Sequence, residues 1–519
     1  MRGPLLLCLV SFAAVAQPII LEGELPSTGG DFVLIPFDVP AGTAEIEVRH
    51  PVQQPDNILD YGLRDPERFR GWGGGNKEPI VIAANAASRS YLTGSLPAGK
   101  WKVIIGKAKV VTSPAKYRLE IDLRTTQTLP AQPERKPYVA VAALKTTARW
   151  YAGDFHVHSR ESGDAAPTLD EISAFARGRG LDFVEISDHN TVAQLDFLND
   201  AQARSTDVLF IPGVEFTTYA GHANGIGATK YVDHLFGIDG QSFDLAAKAF
   251  ADQGAVLAIN HPMLDLGLQC IGCAWKQKVP KEQLGAVEIG TGGWNVTGLL
   301  FTREAISYWA NLVKAGLHVA PIGGSDDHSA GKGMDALDSP IGSPTTMVFA
   351  TELSAAGILE GVKQGRTVVK LQGPMDPMVE LTAGAARLGD TLKADSATLE
   401  AKVTGGKGHQ LKLFHNGTLA KTVEVDADDF KATESMTAPA TGSDWWRAEV
   451  WVDGQPRTVT GHLWQAKGDP VVPMKTGCSA TAISPLLLAL LLWARRRSKR
   501  DRQLGLRQQH RPPRAVDAN

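Results

Sequence analysis

The sequence predicts an α/β protein: a barrel of alternating strands and helices flanked by two β-sandwich domains. Three observations predict it. Apolar strand-like runs alternate with helical patterns across residues 148–372. Short strand-like runs between Gly/Pro turns fill 17–124 and 373–466. Eight of the 13 histidines lie between Asp154 and His328, within that middle stretch.

Length and composition set the frame. At roughly 100–200 residues per domain, 519 residues suggest three domains. With 43% hydrophobic and 21% charged residues the chain is globular, which excludes wholesale disorder and collagen-like structure. The formal net charge is -3, but Arg495 to Asn519 holds nine Arg/Lys against two Asp. That tail carries +7 and leaves -10 on the rest. An acidic body lacks the basic face that nucleic acid requires, so a nucleic-acid partner is not expected.

The elements follow in order. Met1-Arg2, an apolar run from Leu5 to Val15, and Ala14-Val15-Ala16 read as a secretory signal over 1–16, too short to span a bilayer. Phe32-Val-Leu-Ile-Pro, Ala44-Glu-Ile-Glu-Val48, Lys100-Trp-Lys-Val-Ile-Ile105 and Lys116 to Asp122 are strands of an accessory β-sandwich over 17–124. That stretch has one histidine and no convergent polar cluster, so no catalysis is assigned to it. The segment 125–147 reads as a linker, with three prolines between Thr125 and Pro137.

In the middle region each strand ends in chemistry. Trp150-Tyr-Ala-Gly-Asp-Phe leads into His156-Val-His158, whose alternate residues share one face. Thr168-Leu-Asp-Glu171 is a capping box that opens an amphipathic helix with Ile172, Phe175 and Ala176 on one face. Leu181 to Ser187 ends at Asp188-His189, and Leu209-Phe-Ile-Pro-Gly-Val214 ends at Glu215. Ala255 to Asn260 ends at His261-Pro262, and Leu317 to Ile322 leads to Asp326-Asp-His328. In a closed parallel barrel, strand C-termini gather at one rim, so side chains about 170 residues apart in sequence can meet there. Imidazoles with a few carboxylates suit Zn²⁺, Mn²⁺ or Fe²⁺. No G-x-S-x-G lies near the histidines, which argues against a serine hydrolase.

From Pro374 to Trp464 β-pattern returns in Thr398-Leu-Glu-Ala-Lys-Val403, Gln410-Leu-Lys-Leu-Phe414 and Trp446 to Val452, a second sandwich over 373–466. A linker over 467–476 leads to a tail, 477–519, with Gly477-Cys478, a 16-residue stretch from Ser479 to Ala494 and the Arg495-Arg496-Arg497 cluster. The stretch is marginal for a membrane span, and the Arg cluster would stay in the cytoplasm. Of four cysteines, Cys8 and Cys478 lie in the end segments, and Cys270-Ile-Gly-Cys273 is expected as a local disulfide.

The ordered set His156-Val-His158, Ser187-Asp-His189-Asn-Thr191, Gly213-Val-Glu215, Asn260-His261-Pro262 and Ser325-Asp326-Asp-His328 resembles the motifs of the polymerase-and-histidinol-phosphatase (PHP) superfamily. Secretion and β-rich flanks are similar to its carbaryl-hydrolase-like (CehA/McbA) branch. The resemblance implies a distorted TIM-like (PHP) barrel holding two or three divalent metal ions. By matching positions, His156, His158, Glu215 and Asp326 are implied as first-metal ligands. Glu215 is implied as the bridge to a second metal held by His261 and His222. Asp164, His189 and His328 are implied for a third. Asp164 stands where the family's phosphatases often carry His, which leaves two or three ions open. Glu215, Asp326 and Asp188 are expected to serve catalysis. The tail resembles the myxobacterial C-terminal sorting signal (MYXO-CTERM type), implying surface anchoring; a plain tail anchor is the alternative.

The resulting expectation is an exported metallohydrolase. A hydroxide bridging two ions would attack a small-molecule ester, either phosphoester or carbamate/carboxyl ester. Arg/Lys converging on the metals would mark a phosphatase. An apolar pocket, for which Trp275, Trp294, Trp309 and Met263 are candidates, would mark the other class. Arg160 is left open as an anion contact and Arg177 is read as solvated. His318 is read as a packed strand residue, and Asp327 as orienting a ligand histidine. The competing class is a cell-surface binding or matrix protein with a metal-loaded but non-catalytic barrel.

Overall fold

The computed structural model describes residues 17–267, 270–290, 296–333 and 339–467. The signal expected over 1–16, the tail from 468 onward and Trp294 lie outside the described residues.

Between Ile19 and Arg124 the chain forms two four-stranded antiparallel sheets. They share one core, which includes Ile46, Leu63, Trp101, Val103, Ile105 and Leu119. The strand Gly99–Lys109 shows why. Its alternate residues Trp101, Val103 and Ile105 enter that core, because successive side chains point to opposite faces. Ile104, on the other face, packs with Phe32, Trp72 and Leu235 of the middle region. One sheet of this domain is therefore buried on both sides.

The middle region folds into two mixed sheets. In one, Phe183–Ile186 runs parallel to both Arg149–Val157 and Leu209–Pro212. Thr345–Ala350 and Thr367–Lys370 extend that sheet antiparallel. The other sheet begins with the hairpin Glu215–Thr218 and Gly221–Ile226 and continues through Val256–Ile259, Leu284–Gly290 and Ala320–Gly323. The two sheets share a core that includes Phe155, Phe183, Ile211, Ala258, Ala286 and Ile322. These pairings do not describe the closed parallel barrel expected. A continuous apolar run reports burial on both faces, but not the direction of the neighbouring strand. What joins the two sheets at their rims is a pair of isolated parallel bridges, His189–Glu215 and Val157–Asp327.

The first helix, Leu169–Gly178, starts with the Thr168/Glu171 capping box and buries Leu169, Ile172 and Ala176. Glu171 satisfies the Thr168 N–H while Thr168 satisfies that of Glu171, which removes two of the exposed donors of a helix start.

The segment 373–466 also builds two facing sheets, with Leu381, Leu399, Val403, Leu413, Ala448 and Val450 in their core. It does not stand apart. Gln455–Thr460 pairs with Thr367–Lys370, so the C-terminal strands continue the first middle sheet into an eleven-stranded one.

Candidate metal centre

The site lies at the seam where the two middle sheets meet. Arg149–Val157 carries His156, and His158 follows it directly, with the ring centroids 5.1 Å apart. Glu215 opens the second sheet. Asp326 lies in the turn after Ala320–Gly323. His156 Nε2 is 3.2 Å from Glu215 Oε1 and 3.2 Å from Asp326 Oδ1. His158 Nε2 is 3.0 Å from Asp326 Oδ1 and 3.6 Å from Glu215 Oε2. One atom from each of these four residues falls within 4.8 Å of the others.

Glu215 faces further imidazoles. His222 Nδ1 and His261 Nε2 each lie 3.2 Å from its Oε1, and His189 Nδ1 lies 2.7 Å from its Oε2. A third group joins His158, His189 and His328. Asp164 Oδ2 reaches His189 Nε2 at 3.2 Å and His328 Nε2 at 3.5 Å. The structure thus brings together His156, His158, Glu215, Asp326, His222, His261, His189, His328 and Asp164.

Asp188 joins none of these groups. Its two oxygens accept from Ser159 N–H at 2.7 Å and Ser159 Oγ–H at 2.6 Å, so it fixes the turn after His158. Burial pushes its carboxyl up to about 8 against those hydrogen bonds. Asp327 likewise holds backbone and not a ligand imidazole, accepting from the N–H groups of Ser329, Ala330, Gly331 and Ile341. His318 is exposed and outside a strand, its ring stacked on Trp464 at 3.9 Å. Arg160 is exposed, and Arg177 pairs with Asp207 on the surface.

The donor set fits divalent cations. His156 Nε2, His158 Nδ1, His222 Nε2 and Glu215 Oε2 are buried without a hydrogen-bond partner. Native interiors rarely leave such atoms unpaired. Burial pushes the Glu215 carboxyl up, but His156, His189 and His222 pull it well below the usual carboxylate range. Burial drives the His158 imidazole down to about 3, helped by His328 and His189, which leaves it neutral as a ligand must be. Asp326 and His261 both adopt left-handed backbone, with φ 59° and 25°. Such conformations cost energy and cluster at functional sites.

The second group also includes Cys273, but Cys273 is bonded to Cys270, and its carbonyl accepts from His261 Nδ1 at 3.0 Å.

Sequence reasoning assigned no role to the layer behind these side chains. Glu288, fully buried in Leu284–Gly290, lies with Oε2 3.0 Å from His156 Nδ1. Asn260 Nδ2 donates to Glu215 Oε1 at 2.9 Å and to Asn224 Oδ1 at 2.8 Å. Asp154 accepts from the N–H groups of His156, Ser325 and Gly342, tying the two ligand-bearing turns together. The available signal was an acid or amide inside an apolar strand, where an unpaired polar group is costly.

Beside His261 lies a cleft lined by Met263, Leu264, Phe301, Thr302 and Ala305. Trp309 is instead sealed in the core, and Trp275 packs on Phe243. Among the described residues no Lys or Arg pairs with Glu215, Asp326 or Asp164.

No family model matches the chain, and no curated protein matches it. Among solved structures it is similar to a two-domain protein from Bacteroides vulgatus containing a predicted PHP-like metal-dependent phosphoesterase. The identity is 19% over 64% of this chain and 100% of that one, with TM-score 0.35. It is also similar to an amidohydrolase from Chromobacterium violaceum, with 16% identity over 36% of this chain and 93% of that one and TM-score 0.25.

Proposed function

We propose that this chain is a metal-dependent hydrolase that cleaves an ester bond of a small molecule. One observation carries the reading: a single buried carboxylate, Glu215, faces His156, His158, His189, His222 and His261 within 3.6 Å. His156, His158, Glu215 and Asp326 would hold one ion, and Glu215, His222 and His261 a second. His189, His328 and Asp164 would hold a third. Divalent ions there supply charge that acidifies water and polarises the ester. The chain's own residues orient the donors: Glu288 fixes His156, Asn260 fixes Glu215, and Asp154 fixes the turns.

One observation favours a carbamate or carboxyl ester over a phosphoester. The described site has no Arg or Lys paired with its acids, whereas phosphate recognition draws on such groups. Export with surface anchoring is part of the same proposal. It is supported by the leader and tail patterns and by the Cys270–Cys273 disulfide, a bond of oxidising compartments.

The test is elemental analysis of the purified chain, followed by paired chromogenic carboxyl esters and phosphoesters in Zn²⁺ or Mn²⁺. Bound metal with faster carboxyl-ester turnover is the expected result. Preference for the phosphoester would overturn the substrate class. Metal without turnover of either would move the chain to the binding-protein reading.

A further inference from the structure

The N-terminal β-domain touches the loops of the candidate metal centre at several residues, and Ser90 makes three of the hydrogen bonds. Ser90 sits in a loop between strands with φ 71°, an uncommon value for a residue with a side chain. Its N–H donates to Glu161 Oε2 at 3.1 Å, and its hydroxyl donates to the Glu161 carbonyl at 2.7 Å. Its own carbonyl accepts from Thr191 Oγ1 at 2.9 Å. Glu161 belongs to the loop that carries Asp164, and Thr191 to the turn that carries His189. The same circuit closes on the ligand side. Ser162 Oγ donates to Asp164 Oδ1 at 2.8 Å and accepts from His189 N–H at 3.4 Å.

Neighbours reinforce the pin. Arg89 donates to the Ala165 carbonyl at 2.9 Å. Arg135, in the segment expected as a linker, lies 3.8 Å from Glu161, and both side chains are buried. At Gly163 a side chain would collide with the Gly73 carbonyl, so the domain's backbone lies directly on the Asp164 loop.

We propose that the N-terminal β-domain is a positioning element of the metal centre. Ser90 and Glu161 are positioning residues that hold Asp164 and His189 in register. A divalent cation among His158, His189, His328 and Asp164 is then retained only while the domain is docked. This rests on the reading above, that the centre binds divalent cations. It departs from the expectation that residues 17–124 are merely accessory.

The test is Mn²⁺ titration of the full chain, with stoichiometry by elemental analysis and metal-free Tm by circular dichroism. Wild type should take three equivalents, and Asp164→Ala should lose the weakest. Ser90→Gly removes the hydroxyl and leaves a residue at ease with φ 71°. Ser90→Gly and Glu161→Ala should each weaken that same equivalent about tenfold or more, in line with outer-layer partners of ligands, and spare the others. Glu161→Gln, which keeps an acceptor for Ser90, should restore it. Should Glu161→Ala not fold, Gly163→Ala replaces it with the same expected loss. Unchanged affinities in these variants, or equal losses at every equivalent, would overturn the proposal. So would a wild type that takes only two ions, with the functional reading left intact. A wild type that binds no metal would overturn the functional reading itself.

Discussion

Replacing Glu288 by Gln isolates what a carboxylate behind a ligand contributes. Glu288 Oε2 lies 3.0 Å from His156 Nδ1, and the two side chains are 1% and 0% exposed. With His156 Nε2 facing Glu215 and Asp326, the carboxylate sets which ring nitrogen carries the proton and raises the basicity of the other. Such partners typically contribute 10–100-fold in metal affinity, or about 1.4–2.7 kcal/mol. The fold itself should hardly notice. In the metal-free chain burial already pushes the Glu288 carboxyl up to about 7, against the pull of His156, and Gln matches its shape. Thermal unfolding with and without Zn²⁺, together with competition against a chelator, measures both quantities. Metal-free Tm should stay near wild type while the stabilisation by metal shrinks by about 1.4–2.7 kcal/mol. An affinity within twofold of wild type, or an equal loss with and without metal, would refute the reasoning.

Other perturbations probe separate links. His156→Ala should abolish both binding of the first ion and ester turnover. His318→Ala removes one exposed stack on Trp464 and should cost only about 0.5–1.5 kcal/mol, read by urea denaturation. Burial holds the His234 imidazole down to about 3, while an unfolded histidine titrates near 6.5. The unfolded chain therefore gains the proton first. His234 contributes full stability above about 6.5, loses about 2 kcal/mol by pH 5, and continues to lose it toward pH 3. His234→Gln should flatten that part of the pH–stability curve, and an unchanged slope would count against the burial argument. Trp101→Ala, at a fully buried site, should cost about 3–5 kcal/mol in urea.

The convergence of several of the site's side chains was legible because they end apolar runs, and strand ends converge wherever strands share a layer; His222 and Asp164 came only from the resemblance. His156, His189, Glu215 and His261 all carry that signature. The directions of the strands were not legible. Glu215–Thr218 and Gly221–Ile226 were not read as strands, and their hairpin begins the second sheet antiparallel. Glu288 carries no spacing motif and Asn260 entered only as the neighbour of His261, and their contacts reach partners 132 and 45 residues away. Ser90 was invisible for the same reason, as a serine in a loop whose partners lie 71 and 101 residues downstream. Long-range polar pairing depends on how sheets are stacked, and hydrophobic periodicity does not encode it.

The pairing of Gln455–Thr460 with Thr367–Lys370 dictates where the polypeptide can be cut. A fragment ending near residue 372 would bare a Val368-Val369 strand, offering unpaired N–H and C=O groups to any other molecule. Such a fragment should precipitate, however complete its histidine cluster. The same stitch should delay maturation during synthesis. Lys370 pairs with Thr458 and Val368 with Thr460, so the strand beside Thr345–Ala350 should stay open at its outer edge until those residues have emerged.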